Sequence, residues 1–175
     1  MQPIDRYLSL VTRMTSVSFC KEERGVYLLK RPSGIPSQGS IPSRISFETM
    51  HETVELDPFA TEWRIASLKK REGNPYADRI SVGRATNCDV VLRVPFISKV
   101  QAHILDGPDG SQLLRPYSGA GVTLINGSKV DSNSPHRLAV GDIISFGSMS
   151  FEYVDAARLY EVLSREALRR NSDKD

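Results

Sequence analysis

Residues 80–105 read ISVGRATNCDVVLRVPFISKVQAHIL, and this stretch decides the fold. Together with Arg79 it contains three short runs rich in β-branched and other apolar residues, at 79–83, 90–92 and 102–105. Runs of this length and composition predict β-strands. The segments between them are too short for a helix that would connect parallel strands. The stretch therefore indicates an all-β arrangement.

Short apolar runs of the same kind continue on both sides of this stretch. Further strands are predicted at residues 63–69, 112–114, 122–125, 143–146 and 149–154. Turn-forming pairs lie between them, among them Asn126-Gly127 and Gly141-Asp142. Many short strands joined by turns, with no helix between them, predict a β-sandwich of about ten or eleven strands.

The two ends of the chain have helical rather than strand-like patterns. Ile4, Tyr7, Leu8 and Val11 recur at helical spacing, which predicts a helix over residues 3–15. Residues 32–43 contain three prolines, four serines and two glycines, a composition typical of a flexible linker.

Asp155 is a good N-cap for a second predicted helix, whose last residues should fray. We therefore divide the chain into an N-terminal extension (1–61), a β-domain (62–154), and a C-terminal helix with its tail (155–175). Both flanking parts are expected to pack against the β-domain.

Composition excludes several classes of function. The 175 residues are 39% hydrophobic and 25% charged, with a formal net charge of +2, so no overall positive field favours nucleic acid. No stretch approaches the roughly 20 apolar residues that span a bilayer. Cys20 and Cys88 do not form a metal-binding or redox motif. We expect a cytoplasmic protein without a cofactor or metal.

Three polar residues in the opening stretch suit a phosphate group. Arg84 follows Gly83 at the end of a predicted strand, and Ser98 and Lys99 lie in the loop after the next one. Loops of a sandwich cluster at the sheet ends, so these residues can face one another across a hairpin. Arginine offers a planar fork to two phosphate oxygens, serine a hydroxyl donor, and lysine a mobile charge.

The order of these blocks resembles the forkhead-associated (FHA) family. The matching blocks span about residues 62–154: Gly83-Arg84, the DVVL at 89–92, the ISKVQA at 97–102, Asn126-Gly127, and the LAVGDIISFG at 138–147. The resemblance is specific because five blocks occur in order at the right spacing. It implies an FHA-type β-sandwich that binds phosphothreonine peptides through loops at one end.

The resemblance also implies which residues contact the ligand. The phosphopeptide site would comprise Arg84, Ser98, Lys99, Ser118, Gly121, Thr123 and Asn126. Phe96, two places before the serine, would read the side chain three places after the phosphothreonine. The implied partner is a threonine-phosphorylated protein, which makes the chain a signalling adaptor.

Three positions depart from the family pattern. Gln101 replaces the usual histidine that braces the loops, Gly121 replaces the asparagine that holds the peptide backbone, and Ala120 replaces a hydroxyl residue. A second reading therefore stays open: a degenerate FHA scaffold that binds a protein partner independently of phosphate. An enzyme is not expected, because no nucleophile elbow, Walker loop or metal-ligand spacing is present.

Overall fold

The computed structural model describes residues 1–33 and 57–173. Its strands are β1 (Gln2–Pro3), β2 (Val26–Lys30), β3 (Arg64–Ser67), β4 (Arg79–Gly83), β5 (Val90–Val91), β6 (Ala102–Asp106), β7 (Gln112–Pro116), β8 (Thr123–Ile125), β9 (Ser128–Lys129), β10 (His136–Arg137), β11 (Ile143–Phe146) and β12 (Met149–Asp155). Its helices are α1 (Asp5–Val11), α2 (Ser16–Glu22) and α3 (Ala156–Ser172).

The strands form two sheets. One has seven strands in the order β1-β3-β2-β12-β11-β8-β9, and the other has five in the order β10-β7-β6-β4-β5. All pairs are antiparallel except β4 and β5, which run parallel over two residues each. Nine of the twelve strands lie wholly within residues 62–154, and β12 extends one residue beyond; the predicted all-β sandwich is confirmed.

The sandwich encloses one apolar core. Strand alternation directs Val82, Ile104 and Leu114 inward from the five-stranded sheet, where each is at most 2% exposed. Ile144 and Phe151 belong to the seven-stranded sheet and are equally buried in the same core. This packing fixes the strands from which the loops at the sheet end project.

The N-terminal extension contributes a central strand. β2 pairs with β12 on one side and with β3 on the other, so residues 26–30 lie within the seven-stranded sheet. The division at residue 62 remains a prediction about domains, but the sandwich draws one of its inner strands from before that point. β2 is buried accordingly, with Tyr27, Leu28 and Leu29 each at most 1% exposed.

The predicted N-terminal helix needs correction. It covers Asp5–Val11 rather than 3–15, because Pro3 pairs in β1 and a new helix begins after Thr15. The Thr15 hydroxyl accepts a hydrogen bond from the Ser18 backbone N–H, which caps that second helix.

The three helices cover the outer face of the seven-stranded sheet. Leu159 and Leu163 of α3 are fully buried against Phe19 of α2 and Tyr7 of α1, in a second apolar cluster. α3 begins at the predicted N-cap, where the Asp155 carboxylate accepts a hydrogen bond from the Arg158 N–H. The five-stranded sheet and the loops at its ends carry no such layer within the described residues.

The predicted linker over 32–43 falls outside the described residues, apart from Pro32 and Ser33. In residues 1–33 and 57–173, no helix combines the length and the apolar character needed to traverse a bilayer.

Candidate functional site

The site begins where β4 ends at Gly83. A side chain at this position would place its Cβ 2.3 Å from the Lys99 carbonyl oxygen, so only glycine fits. The close approach lets the Arg84 N–H donate to the Ser98 carbonyl at 2.9 Å, and the Ala85 N–H to the Lys99 carbonyl at 3.0 Å. Arg84 therefore lies beside Ser98 and Lys99, which follow it by fourteen and fifteen residues in sequence.

Arg84 is exposed, and its guanidinium is held at one nitrogen. Nε donates to the Ile97 carbonyl at 3.0 Å, which anchors the side chain over the 96–99 loop. None of the hydrogen bonds or ion pairs found among the described residues involves Nη1 or Nη2 of Arg84. A positioned arginine with two open nitrogens is suited to bidentate binding of an oxyanion.

Ser98 is half-buried and fixed from both sides. Its Oγ accepts a hydrogen bond from the Gly121 N–H at 2.9 Å, and its own N–H donates to the Gln101 Oε1 at 3.0 Å. Because Oγ acts as the acceptor in that contact, its proton remains available to a ligand. The serine hydroxyl therefore still has a donor to offer a ligand.

Gln101 is the brace that holds the two loops together. It is 1% exposed, and its Nε2 donates to the Gly121 carbonyl at 2.8 Å and to the Thr123 hydroxyl at 3.1 Å. With the Oε1 contact to Ser98, the one amide satisfies three polar groups from two loops. Glutamine thus performs the bracing expected of the histidine in the family pattern.

Lys99 adds a second positive charge to the cluster. Its side chain is exposed, and no ion pair of the described residues includes it. Two cations without an acidic partner create a local positive surface on a chain whose net charge is only +2.

The remaining predicted site residues are placed unevenly. Ser118 is exposed in the turn before Gly121, and Gly121 is in direct contact with Ser98. Thr123 is 2% exposed, and its hydroxyl accepts the hydrogen bond from Gln101. Thr123 is therefore too buried to reach a ligand, and it supports the 117–121 loop through its hydrogen bond with Gln101.

Asn126 is not brought into this cluster by any hydrogen bond found in the described residues. It has a positive φ of 51° in the β8–β9 turn, its Nδ2 donates to Asp142 at 2.8 Å, and its Oδ1 accepts from the Ile143 N–H at 2.9 Å.

Phe96 is half-buried and packs against the sandwich core, which leaves part of its ring at the surface beside Ile97.

The sequence did not reveal how the loop that follows β4 is anchored. The carboxylate of Asp89 is inaccessible to solvent and accepts hydrogen bonds from the Ser81 N–H and hydroxyl, the Arg71 N–H and the Asn74 amide. Burial opposes ionisation, but these bonds and the charge of Lys70 outweigh it and lower the pKa of Asp89 to about 2. The one feature of the sequence that could have predicted this anchor is Asp89 itself, the first residue of the DVVL block.

The family comparison agrees with this geometry. A family model described as "FHA domain" matches residues 80–147, which include all of β4 except Arg79, β5 through β11, and every residue of the loop cluster. The resemblance seen in the sequence is thereby confirmed for this region.

Among proteins, the mouse (Mus musculus) proliferation marker protein Ki-67 is 34% identical over 73 residues, which are 42% of this chain and 2% of that protein. The human protein of the same name is 34% identical over 71 residues. The chain thus corresponds to about 2% of the length of these relatives.

Among solved structures, the N-terminal FHA domain of S. cerevisiae Rad53p in complex with a phosphothreonine peptide is 23% identical, with a TM-score of 0.45 over 78% of this chain and 98% of that one. The FHA domain of the CT664 protein from Chlamydia trachomatis is 20% identical, with a TM-score of 0.47 over 75% of this chain and 98% of that one.

Proposed function

We propose that the chain, whose residues 80–147 match the family model for the FHA domain, binds threonine-phosphorylated proteins through Arg84, Ser98 and Lys99. The observation that carries the proposal is the arginine held by Nε with its two terminal nitrogens open, beside a serine hydroxyl whose proton is free. Such a pair is matched to a phosphate ester of about −2 charge.

The contacts to the phosphate supply part of the binding free energy. Each charge-assisted hydrogen bond contributes roughly 1.5–3 kcal/mol, so three of them contribute about 4.5–9 kcal/mol. Micromolar binding corresponds to about 8 kcal/mol after the cost of association, so contacts to the rest of the peptide must supply the remainder. The braced loops add to this, since a site that is already formed loses little entropy on binding.

Ser118 and Gly121 complete the proposed site at the loop edge, and Thr123 supports it from within. Phe96 is proposed to select an apolar side chain three places after the phosphothreonine, through the exposed part of its ring. A peptide array that favours acidic residues at that place would contradict this role.

The alternative, a scaffold that ignores phosphate, has one observation in its favour. At Gly121 no side chain is present to hold a peptide backbone. Against it, Gln101 holds the two loops together through its hydrogen bonds to Ser98 and Gly121. The replacement of histidine by glutamine at this position is therefore no evidence that the phosphate site is lost. We therefore favour the phosphate-dependent function.

The deciding experiment is a titration of paired phosphorylated and unphosphorylated threonine peptide pools against the full chain. We expect binding of the phosphorylated pool alone. Arg84→Ala should weaken it by about 2 kcal/mol or more, roughly thirtyfold. Arg84→Lys keeps the charge but loses the fork and should be nearly as weak. Equal binding of the two pools would overturn the proposal and favour the scaffold.

A matched control is available in Arg137→Ala. Arg137 is also an exposed arginine; it lies in β10 of the five-stranded sheet, pairs with Asp109 at 2.7 Å and is remote in sequence from the loop cluster. Its loss should leave phosphopeptide binding unchanged. We further propose that the chain acts as a cytoplasmic signalling adaptor without catalytic activity of its own.

A further inference from the structure

A cleft of about 650 Å³ lies on the outer face of the five-stranded sheet. Ser81 of β4 and His103 of β6 line it and are paired in register. Their neighbours along each strand point into the core, so strand alternation directs these two side chains outward. The loop over residues 71–76 and the side chain of Tyr117 also line the cleft, which therefore lies between a loop and an uncovered sheet face.

The proposed phosphate site does not contribute to this cleft. Its described lining residues include none of Arg84, Ser98, Lys99 and Gly121. The volume is within the range of roughly 300–1,000 Å³ that is typical of ligand sites. The cleft therefore has room for a ligand that is distinct from the phosphopeptide.

The 71–76 loop is fixed by the buried Asp89. The Asp89 carboxylate accepts hydrogen bonds from the Arg71 N–H and the Asn74 amide, both at 2.8 Å. The Asn74 Oδ1 in turn accepts from the Tyr76 N–H at 3.2 Å. The cleft is thus formed before any ligand arrives, which lowers the cost of filling it.

The cleft displays aromatic surface. Seven large hydrophobic side chains are exposed among the described residues, and the two aromatic ones, Tyr76 and Tyr117, both line this cleft at 61% and 50% exposure. The Tyr117 ring packs edge-on against His103, with the ring centroids 5.6 Å apart. Tyrosine and arginine are enriched among the residues that contribute most to protein–protein binding. An aromatic side chain of a partner suits this surface, because rings pack favourably in edge-to-face and offset arrangements.

The charges around the cleft favour an acidic partner. Arg71 and Arg79 line it, whereas Glu72 is the one acid among its described lining residues. Arg115 adjoins the cleft, since it pairs in register with His103. Burial and the charges of Arg79 and Arg115 lower the pKa of His103, so its ring is neutral at neutral pH. The positive charge of this face therefore comes from arginines and is complementary to carboxylates.

We propose that this cleft binds an acidic segment of a second protein through an aromatic side chain, without any need for phosphate. Tyr76 and Tyr117 contact the aromatic ring, and Arg71 and Arg79 attract the carboxylates on either side of it. The proposal does not depend on the proposed phosphothreonine site. With both sites occupied, the chain bridges a phosphorylated protein and an acidic one.

The test is a titration of the full chain with three unphosphorylated peptides, blocked at both ends. The first has a tryptophan with two acidic residues on each side, the second has alanine in place of the tryptophan, and the third has lysines in place of the acidic residues. We expect the first to bind at least tenfold more tightly than either of the others. The backbone amide NMR signals that shift should include those of Tyr76, Ser81 and His103.

Tyr76→Ala and Arg79→Gln should each weaken binding of the first peptide at least fivefold. Val140→Ala and Arg137→Gln are the matched controls. Val140 is 50% exposed but lies in the turn before β11, outside the cleft. Arg137, like Arg79, lies in the five-stranded sheet and pairs with an aspartate. Both controls should bind the peptide as the wild type does, and thermal unfolding should show all four variants folded.

Several results would overturn the inference. Equal binding of the three peptides, or no binding, would do so, as would binding that survives both Tyr76→Ala and Arg79→Gln. Displacement of the acidic peptide by a phosphothreonine peptide would assign the cleft to the phosphopeptide instead. A dimer in solution that Tyr76→Ala dissociates would make a second copy of the chain the occupant. If the acidic peptide binds and no phosphopeptide does, the proposed function fails while this inference stands.

Discussion

The Gln101 amide donates a hydrogen bond to the Gly121 carbonyl at 2.8 Å, while the Gly121 N–H donates to the Ser98 hydroxyl at 2.9 Å. Gly121 is therefore held through both its backbone polar groups, one by the brace and one by the proposed phosphate-binding serine. The brace in turn accepts from the Ser98 N–H. The three residues form a closed ring of hydrogen bonds, and the position of the serine hydroxyl depends on each of them.

Gln101→Ala should both destabilise the chain and weaken phosphopeptide binding. It removes three hydrogen bonds and leaves the buried Thr123 hydroxyl without its donor, which costs roughly 2–3 kcal/mol of unfolding free energy. Chemical denaturation and peptide titration measure the two effects. Gln112→Ala is the control: it loses one side-chain contact, from the Tyr153 hydroxyl, and should not change binding. Unchanged affinity in Gln101→Ala would contradict the role of the brace.

Strand bounds that depend on neighbouring residues alone could be predicted from the sequence. The strands predicted at 79–83 and 143–146 have those bounds in the structure, because each contains β-branched or aromatic residues at its buried positions and is ended by a glycine or a turn. The family pattern marked position 101 as the brace, but the replacement of histidine by Gln101 counted there as a departure. The bonds of Gln101 to Ser98 and Gly121 nonetheless provide that brace.

Non-local pairing was harder to predict. β2 is five residues long and pairs with β12, more than a hundred residues later, and nothing in its composition specifies that partner. The end of α1 at Val11 was missed because the apolar spacing continues to Met14, whereas the Thr15 cap begins another helix. Asn126 matches the Asn-Gly pair of the family pattern and was predicted to contact the peptide. In the structure its side-chain amide instead donates a hydrogen bond to Asp142, a contact that the sequence pattern does not specify.

Gly83→Ala should disrupt the site more than any other single methyl group added to the loops. Its Cβ would meet the Lys99 carbonyl at 2.3 Å, so β4 and the 96–99 loop must separate. Overpacking of this kind costs roughly 1–3 kcal/mol. We expect a lower melting temperature together with loss of phosphopeptide binding. Gly121→Ala adds the same methyl group at ordinary contact distances, 3.7 Å from the Ser98 Oγ, and should remain folded. Equal stability of the two variants would contradict the geometry.

Gly121→Asn should strengthen phosphopeptide binding. The family pattern implies an asparagine here that holds the peptide backbone, and the nearest atoms to a Cβ lie 3.7–4.0 Å away, so the side chain can be accommodated. One added hydrogen bond contributes about 0.5–1.5 kcal/mol, a gain of about threefold to tenfold in affinity. Calorimetric titration measures it, with Gly121→Ala as the control that adds no amide. A weaker complex in Gly121→Asn would show that the peptide takes another path.

Asp89→Asn should destabilise the chain at neutral pH, and the difference should shrink in acid. The pKa of Asp89 is lowered to about 2 from the ordinary 3.8, so its ionised form stabilises the folded state above about pH 4. That contribution, on the order of 2 kcal/mol, is lost as the pH falls from about 4 towards 2. Denaturation curves at pH 7 and at low pH measure it. Asp78→Asn is the control, because Asp78 is exposed and, among residues 1–33 and 57–173, pairs only with its neighbour Arg79. A stability difference between Asp89→Asn and the wild type that does not change with pH would mean that the charge of Asp89 is not what anchors the loop to Ser81.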